Sequence, residues 1–344
     1  MSSFIEQIKS LAISFDKFKE IFVNENLNNV VSDTHHVEMK NRDVLFKFFS
    51  LYMTTPDRVG YTHCYPEAGQ SSSNYRYRFV IVSINEDYVL SYFKMADNRR
   101  GHRYIQFYPP ISLSGKRENE YFLVESLKSD GIKSDVRLFT TEKTSDKYIF
   151  NNYFNTKESS LFFFENKWKG KNQIKKFEQI HGLSVEFHNV CDEKTFNDVI
   201  GLYEIWESVK KQKSDKKYDK KLFKMMNEYD TISLMTIKIN GHLIAFSAGF
   251  DFVNNFFIIQ TEKHVSVCEA EFIKQYACVD DETASLIKKR LSAYIQYKSH
   301  EHYIKDLGKD ALFYEGDVHM NNLAKYKSMF YKHCVCFYDK RLKN

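Results

Sequence analysis

Proline and glycine are scarce in this chain, 4 and 12 of 344 residues, which excludes a linker-rich, collagen-like or low-complexity protein. The six cysteines, at 64, 191, 268, 278, 334 and 336, follow no framework spacing. That excludes a small disulfide-stapled scaffold and fits reduced thiols. Zinc-type spacing is missing too. His333-Cys334-Val-Cys336 has no second pair and reads as part of a buried strand, and His35-His36-x-Glu38 lacks the helical spacing of a metalloprotease. No metal is expected. No stretch approaches the ~18 apolar residues of a membrane span. The opening residues, Met1-Ser-Ser-Phe-Ile-Glu-Gln-Ile-Lys-Ser10, lack a basic region followed by an apolar run. The expectation is a cytoplasmic protein that meets any membrane substrate from the aqueous side.

Aromatic residues are abundant: 30 Phe and 23 Tyr, 16 % of the chain with Trp, within a hydrophobic content of 43 %. Such a chain can build a sizeable core, and its length suggests two domains of roughly 150 residues. The net charge of +5 is mildly basic, so the distribution of charge matters more than its sum.

Apolar residues at three- and four-residue spacing predict a helix over 4–22 and another near 43–53. Loop composition follows over 54–76. Strand patterns occupy 77–84, 88–95 and 103–108, and Pro109-Pro110 ends the last of them. A helix near 118–130 and a strand near 136–140 complete a first unit. Residues 141–172 are polar and read as irregular. The organisation expected is a first module over 1–150, a linker region over 151–172 and a second module over 173–344. The second opens with a helix at 173–181, a strand at 183–188 and helices at 195–211 and 216–229. Strand patterns then run over 231–239, 242–250 and 256–262, and Asn240-Gly241 is a strong hairpin signal. Both halves share an order of helices, antiparallel meander, helix and strand.

Local sequence matches follow the same order. They are Arg103-Tyr-Ile-Gln-Phe-Tyr-Pro-Pro110, Lys175-Lys-Phe-Glu-x-x-His-Gly-Leu-Ser-Val-Glu186 and Leu202-Tyr-Glu-Ile-Trp-Glu207. Asn240-Gly-His-Leu-Ile-Ala-Phe246, Glu262-Lys263 and the closing 314–330, with its Leu-x-x-x-Lys-x-x-Phe element, complete the series. Together they resemble the phosphatidylglycerol lysyltransferase C-terminal domain family, which is GNAT-like and related to the Fem-type aminoacyl-tRNA-dependent transferases. The resemblance implies an α+β fold of tandem GNAT-like modules, each a mostly antiparallel twisted sheet flanked by helices, with the second module catalytic. The stretch from Glu262 to Lys327 is longer here than in the family, so the register over 263–310 stays open.

The activity implied by the resemblance is acyl transfer. An acetyl-CoA-dependent member carries a Gln/Arg-x-x-Gly-x-Gly/Ala loop that opens a helix, whose N–H groups hold pyrophosphate. Gly101, Gly115, Gly131, Gly170, Gly182 and Gly201 stand alone, and no such loop is found. This agrees with an aminoacyl-tRNA donor. The reaction expected moves an aminoacyl group to an amine or hydroxyl of a small molecule, peptide or lipid headgroup. No bound cofactor is needed. An acyl-CoA or acyl-carrier-protein thioester as co-substrate, and a non-catalytic binding protein of the same fold, remain the alternatives.

By this resemblance Lys327 meets donor phosphate or the developing oxyanion, its head group open to the cleft. The plain alternative is a solvated lysine. Glu315 or Asp317, at a strand end, would orient or deprotonate the acceptor, with His319 as another base and Glu262 lining the same cleft. Surface turns and an edge-strand charge are the alternatives. Eight lysines between 210 and 224, Lys216, Lys217, Lys220 and Lys221 among them, would track tRNA phosphates or form a solvated face. Arg76, Arg103, Tyr108 and Tyr314 are the candidate substrate contacts.

Overall fold

The computed structural model describes residues 2–24, 37, 41–52, 76–97, 103–129, 136–140, 148–164, 170–210, 220, 223–224, 226–227, 232–252, 255–314 and 321–342. Side chains at some of these positions, Arg76 and Arg103 among them, lie outside that description. The chain forms two compact units, Met1–Asn151 with Val335–Asn344, and Asn152–Cys334.

In the first unit, α1 (Ser2–Leu11), β1 (Ala12–Ser14) and α2 (Phe15–Asn24) replace the single helix expected over 4–22. The break has a local cause. Ala12–Ser14 pairs in parallel with the edge of β2 (Arg76–Ile84), and Ser14 Oγ accepts the backbone N–H of Lys17 at 3.2 Å, capping α2. Helix α3 covers Arg42–Tyr52. Strands β2, β3 (Asp87–Asp97) and β4 (Arg103–Phe107) form an antiparallel meander, with short β5 (Ile111–Ser112) beside β3. The first turn, Asn85-Glu86, takes positive φ at both residues without a glycine. Helix α4 (Arg117–Ser129) then crosses to β6 (Val136–Thr140), which runs parallel to β4. Phe18 and Phe22 of α2 lie fully buried among Val82, Phe93, Phe107 and Leu123. Each such ring contributes about 1.5–3 kcal/mol on burial.

The stretch read as irregular holds β7 (Tyr148–Thr156) and α5 (Lys157–Phe164) instead. Asn155 makes the segment look polar, yet its side chain is 1 % exposed and fully engaged in hydrogen bonds. In the second unit, α6 (Lys171–Glu178), β8 (Leu183–His188) and α7 (Glu193–Lys210) precede the predicted hairpin. Strands β9 (Ile232–Ile239), β10 (His242–Phe252) and β11 (Phe256–His264) run antiparallel, with β8 on the outer edge of β9. Asn240 and Gly241 sit at φ 50° and 80°, the backbone of a tight hairpin turn.

The open register over 263–310 resolves into two helices, α8 (Ala270–Ala277) and α9 (Asp281–Ser299). Asp280 caps α9 by accepting the Thr283 N–H at 2.7 Å, and Ala284, Ile287, Leu291 and Ile295 are its buried stripe. A π-helical turn, His300–Asp306, leads to β12 (Ala311–Tyr314). This strand pairs in parallel with β11 and antiparallel with β7. Helix α10 (Asn321–Ser328) and β13 (His333–Leu342) close the chain. Cys334 is exposed there, which corrects the expectation of a buried strand at that position. Each unit is therefore an antiparallel meander followed by a helical crossover to a parallel strand.

One glycine fixes the shape of the second unit. β10 and β11 change register at Ala248/Gly249, where Ala248 faces Thr261 and Gly249 faces Ile259, so Gln260 is bulged. A Cβ on Gly249 would stand 1.9 Å from the Ile258 carbonyl oxygen. Gly249→Ala should cost about 1–3 kcal/mol or more, read as a lower denaturant midpoint. An unchanged midpoint would mean that the strands slide past the clash and that the bulge is not fixed by glycine.

Candidate active site

Among the described residues, pairing between β11 and β12 extends to Ile259 and Tyr314. Strand β11 runs on to His264 with β10 on one side only, and no strand among the described residues pairs with the other side of 260–264. The bulge at Gln260 sets which way each side chain from Thr261 to His264 points. Thr261 and Lys263 meet α7, where Tyr203 Oη lies 3.2 Å from Thr261 Oγ1. Glu262 points the other way, towards α9 and α10.

The Glu262 side chain is 3 % exposed. Gln296 Nε2 donates to its Oε2 at 2.6 Å, and Tyr326 Oη lies 3.4 Å from its Oε1. Tyr314 also hydrogen-bonds the carboxylate. Tyr331 Oη donates to Gln296 Oε1 at 2.6 Å, which orients the amide so that its NH₂ faces Glu262. Burial pushes the Glu262 carboxyl up to about 7, against the pull of the Tyr314 and Gln296 hydrogen bonds and of the Lys263 and Lys327 charges. Burial also raises the hydroxyls of Tyr314, Tyr326 and Tyr331 well above the usual phenol range, so they act as O–H donors.

Lys327 is 2 % exposed, and its Nζ stands 4.2 Å from the centre of the Tyr314 ring. This corrects the expectation of an open head group. The helix turns Lys327 inward, onto the side where Tyr314 and Glu262 lie.

His264 stands 3.7 Å from Glu262 Oε1, and its Nδ1 lies 2.6 Å from Ser266 Oγ. Burial, with Lys263 and Lys210 nearby, lowers its pKa to about 4, so it is neutral and the contact is not an ion pair. Behind Gln296 is a second histidine, His300, which is fully buried. His300 Nδ1 lies 2.7 Å from the Gln296 carbonyl, which can only accept, so Nδ1 carries the proton. Its Nε2 then accepts from Asn155 Nδ2 at 2.8 Å. Asn155 also donates to the Phe330 carbonyl at 2.7 Å and accepts the Lys332 N–H at 2.9 Å. It thereby ties β7 to the turn after α10. Burial lowers His300 to about 4 as well.

Of the candidates read from the sequence, Glu262, Tyr314 and Lys327 come together here. Glu315, Asp317 and His319 lie outside the described residues, as do Lys216, Lys217 and Lys221. Lys220 is helical and half-buried. Arg76 and Arg103 are on β2 and β4 of the first unit. Tyr108 is 1 % exposed in that unit, stacked on Tyr92 at 4.3 Å, and Tyr92 stacks on Phe79 at 4.6 Å. Its ring is core rather than a substrate contact. Gln296, Tyr326, Tyr331, His264 and Asn155 were not legible as site residues. A polar Gln296 directly beside Ile295 on the apolar stripe of α9 was the available signal. Among the described residues, no group of three or more His, Cys, Asp or Glu is placed to hold a metal ion.

No protein-family model matches the chain, and no curated protein matches its sequence. Solved structures share its fold. A conserved protein of unknown function from Bacteroides thetaiotaomicron superposes with a TM-score of 0.56 at 14 % identity, covering 90 % of this chain and 98 % of the other. The C-terminal domain of a putative lysylphosphatidylglycerol synthetase from Agrobacterium fabrum gives 0.54 at 8 % identity, over 88 % and 93 %. L-PGS from Bacillus licheniformis gives 0.51 at 9 % identity, over 87 % and 91 %. At these identities the likeness is one of fold, and it includes the lysylphosphatidylglycerol synthetase C-terminal domain that the sequence resembles. No helix among the described residues is long and apolar enough to cross a membrane.

The two neutral histidines predict a pH response. Their folded pKa values near 4 lie below the ordinary 6.5, so their stabilisation is present above pH 6.5 and is lost as pH falls towards 4. The limit is about 3 kcal/mol each, at ~1.4 kcal/mol per pH unit. Glu262 has the opposite trend, so the effect is best read in a Glu262→Gln variant, where the urea midpoint should fall between pH 7 and pH 5. A midpoint that holds steady would mean that both rings titrate in the fold as they do in the unfolded chain.

Proposed function

We propose that this chain is a GNAT-fold acyltransferase that moves an aminoacyl group from aminoacyl-tRNA to an amine or hydroxyl of a small molecule, peptide or lipid headgroup. The carrying observation is the Glu262 constellation on β11 beyond its pairing with β12: a carboxyl group poised near pH 7, ringed by phenol donors, with a lysine ammonium close by. A base with that pKa is matched to work at neutral pH.

In the proposed step, Glu262 takes a proton from the acceptor amine or hydroxyl as that atom attacks the ester carbonyl. The carbonyl oxygen gains negative charge, which Lys327 and the Tyr314 and Tyr326 hydroxyls meet. The bond to the ribose oxygen breaks, and Glu262 returns its proton to that oxygen. The products are the aminoacylated acceptor and free tRNA, with Glu262 restored.

The helix N-termini beyond β11 favour an RNA donor over a CoA one. Helix α8 begins beside Glu269 and Glu271, and α9 begins at Asp280, Asp281 and Glu282, with Asp280 already filling the cap. These carboxylates would repel a pyrophosphate at the position where helix N–H groups ordinarily hold one. The lysine run starts at Lys210, which is close enough for its charge to act on His264. Two of the fold neighbours are described as lysylphosphatidylglycerol synthetases, which agrees with an aminoacyl donor. Use of such a donor would place the protein in the cytoplasm.

The test is the nucleic acid and cofactor content of the protein isolated at low salt. Small RNA of tRNA length, released by raising the salt, is expected. Stoichiometric coenzyme A or another acyl thioester in its place would contradict the donor assignment.

A further inference from the structure

Tyr203, Trp206 and Lys210 share one face of α7, because they are three and four residues apart. That face lies against the end of β11. Tyr203 is fully buried there, whereas Trp206 is only half-buried. Lys263 reaches across from the strand, with Nζ 5.2 Å from the centre of the Tyr203 ring and 4.8 Å from that of Trp206. Its ammonium also lies 3.4 Å from Thr261 Oγ1. Lys210 adds a second cation at the exposed end of the helix, and Glu204 and Glu207 on α7 keep the patch from being uniformly basic. Of these groups, only Lys263 acts on Glu262, and it does so through its charge. Lys263 is the next residue along the strand, with its side chain on the opposite face.

A half-exposed indole with one ammonium over its ring and a second lysine further along the same helix suits a base together with its phosphate. Stacking on an aromatic ring accepts any base, and the cations neutralise the backbone. The strand edge at 260–264 connects the two faces. A chain-end nucleotide passing round that edge sets its ribose ester at Glu262 and its base against α7. We infer that Trp206, Lys263 and Lys210 form the subsite for the 3′-terminal nucleotide of the donor RNA, with the terminal base stacked on Trp206 and its phosphate held by the two lysines. This rests on the aminoacyl-tRNA reading above. Adenine and phosphate are also present in coenzyme A. The acidic starts of α8 and α9 direct the assignment to RNA.

The experiment is a binding titration of the full chain by fluorescence anisotropy, using a labelled single-stranded RNA ending in cytidine-cytidine-adenosine, with unlabelled coenzyme A as competitor. Trp206→Leu should weaken RNA binding by about tenfold or more, since one base stack is lost. Trp206→Phe should retain most of the affinity, and Lys263→Gln should reduce both the affinity and its salt dependence. The two conservative variants also guard against misfolding of Trp206→Leu, which is checked by its melting curve. Affinity unchanged in a folded Trp206→Leu, or no RNA binding by the unmodified chain, overturns the subsite. Displacement of the RNA by micromolar coenzyme A overturns its assignment to RNA. Aminoacyl transfer measured in parallel separates the two readings. Turnover with an unchanged KM for the donor in Trp206→Leu removes the subsite and leaves the transferase. RNA bound through Trp206 with no transfer leaves the subsite and removes the transferase.

Discussion

Replacing Glu262 with glutamine should lower turnover by roughly 10²–10⁴-fold, the usual worth of a positioned general base. The same change should alter how stability depends on pH. The folded carboxyl has a pKa of about 7, above its ordinary 4.5. Its favourable contribution is therefore complete below pH 4.5 and is lost as pH rises through 7. At pH 8 the native state carries the cost of an ionised, buried carboxylate, about 3 kcal/mol at ~1.4 kcal/mol per pH unit. Glutamine keeps the shape and does not ionise. The melting temperature of Glu262→Gln, measured against the unmodified protein, should therefore improve steadily from pH 5 to pH 8. Unmodified turnover should rise with pH through about 7, and that limb should vanish in the variant. A pH-independent difference in melting temperature would show that Glu262 ionises freely and is not a tuned base.

Lys327→Met should reduce both turnover and stability. The open head group expected from the sequence does not survive a side chain that is 2 % exposed. Removing the ammonium takes a counter-charge from Glu262 and the cation from the face of Tyr314. Breaking such a buried arrangement on one side costs roughly 3 kcal/mol, and loss of an oxyanion partner costs about 10²–10³ in rate. Because both charges are removed together, the double variant Lys327→Met, Glu262→Gln should regain much of the stability while remaining inactive. The check is a double-mutant cycle of denaturant midpoints, with turnover measured alongside. Additive stability losses would mean that the two groups do not interact.

The strands were legible because their signals are local. Alternation over 232–239 and the Asn240-Gly241 turn specify the hairpin without reference to the rest of the chain. The break at Ala12–Ser14 was not, since apolar spacing continues across it and only pairing with β2 turns it into a strand. Glu262, Tyr314 and Lys327 were found through the order of motifs. Their environment was not found, because Gln296, Tyr326, Tyr331 and Asn155 meet only through contacts between elements far apart in sequence. For Lys327 the sequence did hold a clue. It stands four residues after Leu323 and three before Phe330, on the apolar stripe itself. Asn155 was hidden by its residue type. An asparagine in a polar run reads as loop, and only the geometry of β7 and the turn after α10 makes it a buried bridge.

The most direct test of the proposed activity tracks the donor's acyl group. Purified full-length protein is incubated with total aminoacyl-tRNA carrying labelled amino acids and with a mixture of peptide, amine and lipid-headgroup acceptors. Label should leave the tRNA for an acceptor in the unmodified protein, and stay on the tRNA when Glu262 is glutamine. Label that remains on tRNA with the unmodified protein, while an acyl-CoA supplied beside it is consumed, would contradict the assignment.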